Sequence, residues 1–400
     1  MRKYVIFTLV VVCQIVLLTS VALAERPIRI VVFDPLSGPL KVFGERFEMG
    51  WKLAADEVNA SGGILGRKVE IIMEDDQFKP EVALRKAQKH FMQGDVDFMS
   101  KSFGSHIVNS LMELAEQNNI VFISTAMSDD AAQKSFSYNT IQLVYRTAIM
   151  ARLLITYIKD YKDFNKFYLI NPDYAYGHDM AAKFEKEVAR LLPKAKIVGN
   201  DFHPMNTKDL SSILTKVKAT NADCILTGSF GLPLSILLKQ RHQFGVTAVV
   251  VSNPLADPMN MRELAEVSQG SIVSDCWMST VKTKESDAFR ALWREKYKDT
   301  AWPEADDIGG RTYIAAKFLF NGIKKAGSVE VKKLIPAMED MRQTTLNGEA
   351  YLRACTHTLQ SDLPVGEVVS TSPPYYSVPS IIKADQIVIE SEAIDNPRCK

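Results

Sequence analysis

Residues 36–87 read LSGPLKVFGERFEMGWKLAADEVNASGGILGRKVEIIMEDDQFKPEVALRKA and decide the fold. A helix is predicted over residues 44–59, because apolar side chains recur on one of its faces. These side chains are Phe47, Trp51, Ala54, Ala55 and Val58. A Ser-Gly-Gly turn ends this helix, a strand follows at 69–73, and Pro80 opens a second helix. Since a β-branched strand at 28–33 precedes them, the order indicates a parallel α/β sheet.

The alternation of strand and helix continues along the chain in two series. The predicted strands are 28–33, 69–73, 96–99 and 120–123 in the first series, and 166–170, 196–198, 224–227, 246–251 and 271–278 in the second. Thr207 is predicted to be the N-cap of a helix that carries Leu210, Leu214 and Val217. Helices follow at 286–298, 308–326 and 329–342. Two such series predict an α/β fold of two doubly wound, Rossmann-like lobes.

Residues 1–24 have the composition of a cleavable signal peptide. Arg2 and Lys3 are followed by an apolar run, and Ala22-Leu23-Ala24 offers small residues for cleavage. An uncleaved anchor, or a lipoprotein that uses Cys13, is the alternative. Removing residues 1–24 from the 400-residue chain leaves 376 residues, which suits two domains.

Charge and cysteine usage limit the classes of function. The chain has 48 Lys and Arg against 47 Asp and Glu without a basic block, so no nucleic-acid partner is expected. Cys224 and Cys276 lie in apolar, strand-like runs and are expected to be buried free thiols. Cys355 and Cys399 lie in the loop-rich tail, where an oxidising compartment would favour their pairing.

Familiar catalytic and cofactor motifs are missing from the sequence. It contains no dinucleotide fingerprint, no phosphate-binding loop and no GxSxG, and its six histidines are never three or four residues apart. We therefore predict no cofactor, no metal site and no catalytic residue. The acidic run at 74–76 is interpreted as a solvated loop that caps the next helix.

The loops after the predicted strands share small hydroxyl, glycine and aromatic residues. In open α/β sheets the ligand lies beyond these strand ends, and such loops suit an organic ligand with polar groups. Ser105 is expected to be an N-cap at a helix start, a place that favours an anionic ligand group. Phe43, in a loop expected to be exposed, is either a hydrophobic staple or a pocket wall; the same question applies to Tyr176 and Phe230.

The sequence of residues 36–87 resembles the first βαβ unit of type I periplasmic solute-binding proteins, the receptors of ABC importers. Residues 144–147, 174–178 and 207–210 resemble the lobe crossover, the "YG" loop and a helix start of that family. The resemblance runs from about residue 28 to 363. It implies two lobes joined by three crossovers, with lobe 1 at 27–145 plus 281–345 and lobe 2 at 146–280 plus 346–400.

The resemblance also implies ligand-binding residues. By position these are Phe43, Ser105, Ala126 and Ser128 in the first lobe, and Tyr176, Phe230 and Asn253 in the second. Amino-acid binders place a glutamate after the fourth strand of the second lobe, where this chain reads SNPLAD, residues 252–257. Without that acid, and unless Asp257 replaces it, an aromatic or other apolar carboxylic acid fits better than an α-amino acid.

The function implied is that of a receptor, not an enzyme. A monomeric periplasmic protein is expected, which would deliver its ligand to an ABC permease in the inner membrane. A free-standing sensor for a signalling partner, or a secreted hydrolase on the same scaffold, is the alternative.

Overall fold

The computed structural model describes residues 26–390 and 396–399, except 128, 130–134 and 257. Fifteen strands are present in these residues. They are β1 Ile28–Asp34, β2 Val69–Asp75, β3 Phe98–Lys101, β4 Val121–Ser124, β5 Thr140–Gln142, β6 Lys166–Pro172, β7 Lys196–His203, β8 Cys224–Leu226, β9 Val249–Ser252, β10 Ile272–Ser274, β11 Arg342–Thr345, β12 Gly348–Arg353, β13 Thr358–Ser361, β14 Leu363–Val368 and β15 Tyr376–Ile382.

Helices alternate with most of these strands. The α-helices are α1 Lys41–Ala60, α2 Pro80–Gln93, α3 Ser105–Gln117, α4 Thr147–Tyr161, α5 Ala175–Leu191, α6 Ser211–Thr220, α7 Gly231–Gln243, α8 Pro258–Leu264, α9 Lys284–Tyr297, α10 Asp307–Ala326, α11 Val331–Met338 and α12 Ala384–Ile387. Among the residues described, no helix is both long and apolar enough to span a membrane.

The strands form two sheets. The first has the order β11-β12-β13-β5-β4-β3-β1-β2, and the second has the order β15-β14-β10-β9-β8-β6-β7. The first five strands of each run parallel in the order 2-1-3-4-5, which is the doubly wound arrangement. The chain crosses between the sheets after β5, after β10 and after β13. The predicted fold class, two doubly wound lobes with three crossovers, is confirmed. We call each sheet with its helices a lobe.

The third crossing lies farther along the chain than the sequence predicts. The sequence predicts residues 346–400 in the second lobe, but β12 and β13 pair in the first sheet, where β13 also joins β5. The crossing is therefore the short step from Ser361 to Leu363. The expected boundary at 345 is wrong. The sequence assigned lobes by the alternation of strands and helices, and the antiparallel strands β12 and β13 are joined by a turn without a helix.

Helices α1 and α10 pack closely on the first sheet. A Cβ atom added to Gly50 would lie 2.2 Å from the carbonyl oxygen of Gly309 and from Thr312 Oγ1. Only glycine allows this approach of two helix backbones. Helix α10, which follows the second crossing, is thereby fixed to the first lobe.

The predicted N-cap at Thr207 is wrong. Helix α6 begins at Ser211, and the carboxylate of Asp209 accepts the Ser211 N–H at 2.9 Å. Thr207 instead donates its hydroxyl hydrogen to the Asp209 carbonyl oxygen. A carboxylate at a helix start is favoured by the helix dipole, which explains the shift.

The structure joins Cys355 and Cys399 by a disulfide bond, whereas Cys224 and Cys276 are buried free thiols. Cys355 lies in the turn between β12 and β13. The neighbouring Asn396 donates from its side-chain amide to the Cys355 carbonyl oxygen at 3.1 Å. The last described residues are therefore attached to the first lobe.

Candidate functional site

The first-lobe side of the site is an aromatic wall. Phe43 stacks on Phe103 with ring centres 5.5 Å apart, and Phe78 also stacks on Phe103 with ring centres 5.3 Å apart. Phe43 lies in the first turn of α1 and is half-buried, so the predicted exposed loop is wrong at this residue. Helix α1 begins three residues earlier than its apolar periodicity indicated, and this turns Phe43 toward Phe103.

Ser105 lies beside this wall as the first residue of α3. The residue that precedes the helix is Gly104, with φ +92°, so Ser105 is not the predicted N-cap. Its predicted role beside an anionic ligand group depends on the helix start and not on the cap, and it stays a prediction. The first N–H groups of a helix have no acceptor within it, and together with the helix dipole they favour an anion.

Ala126 is in the loop after β4 and is buried. Its N–H donates to Ser124 Oγ at 3.2 Å, and its carbonyl oxygen accepts from Gln142 Nε2 at 2.7 Å. Both backbone groups are thus used within the lobe, which leaves the methyl group for a ligand. Ser128, the other predicted contact here, lies outside the described residues.

The second-lobe side of the site carries Tyr176 and Phe230. Their rings meet edge to face at 6.5 Å, and Tyr174 lies 5.9 Å from Tyr176. A Cβ atom added to Gly228 would lie 3.2 Å from the Tyr176 ring, so the loop after β8 packs directly beneath the tyrosine. Burial raises the pKa of Tyr176, which therefore stays a neutral phenol.

Asn253 follows β9 and is buried at the interface of the two lobes. Its amide nitrogen donates to the Tyr145 hydroxyl and to the Ser274 carbonyl oxygen, both at 2.5 Å. An amide nitrogen has two hydrogens. Only the Asn253 side-chain oxygen is therefore left for a ligand, and the main role of the amide is to connect the first crossing to the second sheet.

An ion pair across the lobes was not predicted from the sequence. Arg311 on α10 approaches Asp275, the residue after β10, at 3.3 Å, and both are buried. Asp275 Oδ1 also accepts the Cys276 N–H at 2.5 Å. The sequence shows a basic residue inside the predicted helix 308–326. It does not show that Asp275 is the partner, because that contact depends on how the second crossing folds.

A second buried charge cluster lies under the first-lobe wall. Lys101 Nζ is 3.1 Å from Asp34 Oδ1 and 2.8 Å from Asp76 Oδ2, and none of the three side chains is exposed. The acidic run at 74–76 is therefore not the solvated loop that was predicted, since Asp76 is fully buried. Desolvation of a carboxylate is tolerated here because an ammonium group faces it.

A serine and a histidine meet at the second-lobe strand ends, which bears on the hydrolase alternative. Ser229 Oγ lies 2.7 Å from His203 Nε2, and His203 Nδ1 faces the Pro204 carbonyl oxygen at 2.9 Å. Both side chains are buried, and the orienting group is a carbonyl rather than a carboxylate. The described residues also hold no group of three or more His, Cys, Asp or Glu suited to a metal ion.

Comparison with known proteins places the chain in a family. A family model described as periplasmic binding protein matches residues 27–373. The Leu/Ile/Val-binding protein BraC3 of Rhizobium johnstonii is 25% identical over 327 residues, which are 80% of this chain and 86% of that protein.

Two solved structures share the fold. The amino acid ABC transporter substrate-binding protein of Pseudomonas fluorescens Pf-5 has a TM-score of 0.83 at 20% identity, covering 93% of this chain and 99% of the other. A solute-binding protein of an R. palustris ABC transporter, in complex with benzoate, has a TM-score of 0.77 at 19% identity, covering 93% and 99%. The family predicted from the sequence is confirmed: this chain belongs to the periplasmic binding proteins.

Proposed function

We propose that this protein is the extracytoplasmic receptor of an ABC importer and that it captures a small carboxylate-bearing organic solute between its lobes. The observation that carries the proposal is the pair of aromatic clusters, Phe43 with Phe103 and Tyr176 with Phe230, at the strand ends of two lobes joined by three crossings. A ligand body packs between such rings when the lobes close.

The carboxylate is assigned to the start of α3. Ser105 supplies a hydroxyl there, and the helix start supplies N–H groups and a favourable dipole. Ser128, by its place in the sequence, is proposed to supply a second hydroxyl to the ligand carboxylate. The aromatic clusters then surround the apolar part of the ligand.

The body of the ligand is proposed to lack an α-ammonium group. Asp275 is an acid at the strand ends of the second lobe, and Arg311 and the Cys276 N–H already occupy it. An ammonium group buried without a partner is costly. The names of the relatives support a carboxylate in either case, because leucine, isoleucine, valine and benzoate all carry one.

The protein is further proposed to act in the periplasm as a monomer, after removal of residues 1–24, and to deliver its ligand unchanged to a permease. The fully buried Ser229 hydroxyl supports binding without chemistry, since a nucleophile must reach the substrate.

A thermal-shift screen of the mature protein tests the function. Benzoate, 3,4-dihydroxybenzoate, phenylacetate, leucine and phenylalanine are added separately, because a ligand of the folded state raises the melting temperature. A rise with the aromatic acids and none with phenylalanine supports the proposed class. A rise with the amino acids alone contradicts it, and recovery of a chemically altered ligand contradicts the receptor function.

A further inference from the structure

A charged cluster lies at the ends of β1, β2 and β3. The stability that it gives to the protein does not explain why it is there. Lys101, Asp34 and Asp76 are completely buried, with the ammonium group 3.1 Å and 2.8 Å from the two carboxylates. Removing three charges from water costs about as much as their attraction returns, so such clusters contribute little net stability. Their better-supported role is to select one arrangement of the surrounding chain.

Each member of the cluster also holds the backbone of a loop at the ligand edge. Asp34 Oδ1 accepts the Ser102 N–H at 3.0 Å, and Asp76 Oδ1 accepts the Phe78 N–H at 2.8 Å. The carbonyl oxygen of Lys101 accepts the Thr125 N–H at 3.0 Å. The loops after β2, β3 and β4 are therefore anchored at one point.

Contacts of Phe78 extend this anchoring to the proposed carboxylate site. Lys101 Nζ lies 5.9 Å from the centre of the Phe78 ring, and that ring stacks on Phe103. A Cβ atom added to Gly104 would lie 2.6 Å from the Phe78 ring, and the φ of Gly104 is +92°. The Phe78 ring thus sets the path of the backbone immediately before Ser105.

We propose that Lys101 is a positioning residue for ligand binding: its ammonium group holds Asp34 and Asp76, which fix Phe78 and the 102–105 loop so that the start of α3 faces the ligand carboxylate. Lys101 acts through these neighbours and not by contact with the ligand. Burial raises the pKa of Asp34, in keeping with a site where the carboxylates depend on the single ammonium group. The inference rests on the proposed function.

The test compares mature wild-type protein with the Lys101→Met variant, which removes the ammonium group and keeps an unbranched side chain. Amide hydrogen exchange of the ligand-free protein is measured for peptides that cover residues 76–79 and 102–106. We expect amide exchange in these peptides to be about tenfold faster or more, because the hydrogen bonds that oppose local opening of the two loops lose their support. Benzoate affinity, measured by calorimetry, should fall by about tenfold while the circular dichroism spectrum is unchanged.

A matched control is Arg152→Met, which removes an equally buried cation from the second lobe. Arg152 pairs with Glu187 at 3.0 Å between α4 and α5. This variant should lower the melting temperature and leave exchange at 76–79 and 102–106 unchanged. If Lys101→Met fails to fold, the triple variant Lys101→Met, Asp34→Asn, Asp76→Asn removes every buried charge of the cluster and serves in its place.

Two results would overturn the inference: unchanged exchange at both loops, or acceleration that is equal across both lobes. Failure of the wild type to bind benzoate or any other probe is a different result. It would count against the proposed function, whereas the exchange measurement needs no ligand and still decides whether Lys101 positions the loops.

Discussion

Ser105 is a residue whose predicted structural role is wrong, while its predicted role in binding an anion stays a prediction. The hydroxyl belongs to the first helical residue of α3 rather than to its cap. What favours an anion is the helix start itself, because its N–H groups have no internal acceptor. The expected role of the side chain therefore does not depend on which residue the helix begins with.

Loss of the two assigned hydroxyls should weaken ligand binding. For Ser105→Ala with Ser128→Ala we expect about ten- to hundredfold weaker binding, since a hydrogen bond to a charged group contributes about 1.5–3 kcal/mol. Calorimetric titration with the acid that the thermal-shift screen identifies measures the change. Ser110→Ala, at a serine farther along α3, is the matched control and should bind like the wild type. Equal affinity of the double variant and the wild type would contradict the assignment.

His357 is a second residue whose neighbours give it a definite chemical state. It has no exposed surface, and its Nε2 lies 2.9 Å from both Glu339 Oε1 and Arg398 Nη1. Burial lowers the pKa of His357, and the carboxylate of Glu339 opposes this effect only in part. The imidazole is therefore neutral in the folded protein over a range where it is partly protonated in the unfolded chain.

Stability should consequently depend on pH through His357. Because its pKa is lower in the folded state, the stabilising contribution is complete above the unfolded value of about 6.5 and is lost as the pH falls through the folded value. The melting temperature of the wild type should therefore fall more between about pH 7.5 and pH 5 than that of His357→Gln, which cannot titrate. Thermal unfolding monitored by circular dichroism measures both slopes, and parallel slopes would show that His357 does not contribute.

At the scale of elements, local sequence signals predicted nine of the ten strands in the two parallel arrays and part of their helices, whereas the three-residue β5 was not predicted. Periodicity, Pro80 and the Ser-Gly-Gly turn each act within a few residues, so the βαβ units could be read directly. The strands β12 and β13 could not be assigned to a lobe from the sequence. β13 joins the first sheet through a contact between residues 358 and 142, which are far apart in the chain. The same holds for Lys101, whose partners are the last residue of β1 and the residue after β2.

The tail is the element whose attachment can be tested most directly. Cys355 and Cys399 close a loop with a sequence separation of 44 residues, and Arg398 pairs with Glu339 at 2.7 Å. Cross-linking a loop of this size restricts the unfolded chain and stabilises the folded state by about 2–4 kcal/mol.

Removing the bond should therefore lower stability. We expect Cys355→Ala with Cys399→Ala to lower the free energy of unfolding by about 2–4 kcal/mol, measured in urea. A reductant should lower the stability of the wild type by a similar amount and leave that of the double variant unchanged. Mass spectrometry of the unreduced protein should show a peptide that links 355 to 399; free thiols at both residues would contradict the pairing.

At the scale of the whole molecule, the two lobes contact each other through a small set of buried polar groups near the crossings. Asn253 donates a hydrogen bond to the Tyr145 hydroxyl in the first crossing, and Arg311 on α10 pairs with Asp275 after β10 of the second sheet. Each lobe has its own sheet. In the described residues the chain crosses between the sheets three times, and the Cys355–Cys399 bond also attaches the tail after β15 to the first lobe. This architecture permits the lobes to move as rigid bodies about the crossings.

Ligand binding should therefore make the protein more compact without changing its secondary structure. Small-angle X-ray scattering of the mature protein, with and without a saturating concentration of the acid found by thermal shift, should show a smaller radius of gyration in its presence. The far-ultraviolet circular dichroism spectrum should stay the same, because a rotation about the crossings leaves both sheets intact. The Tyr176→Ala variant is the control, since it keeps the crossings and loses the second-lobe wall, so the same acid concentration should compact it less. A radius of gyration that does not change in the ligand-saturated wild type would mean that the lobes do not close on the ligand.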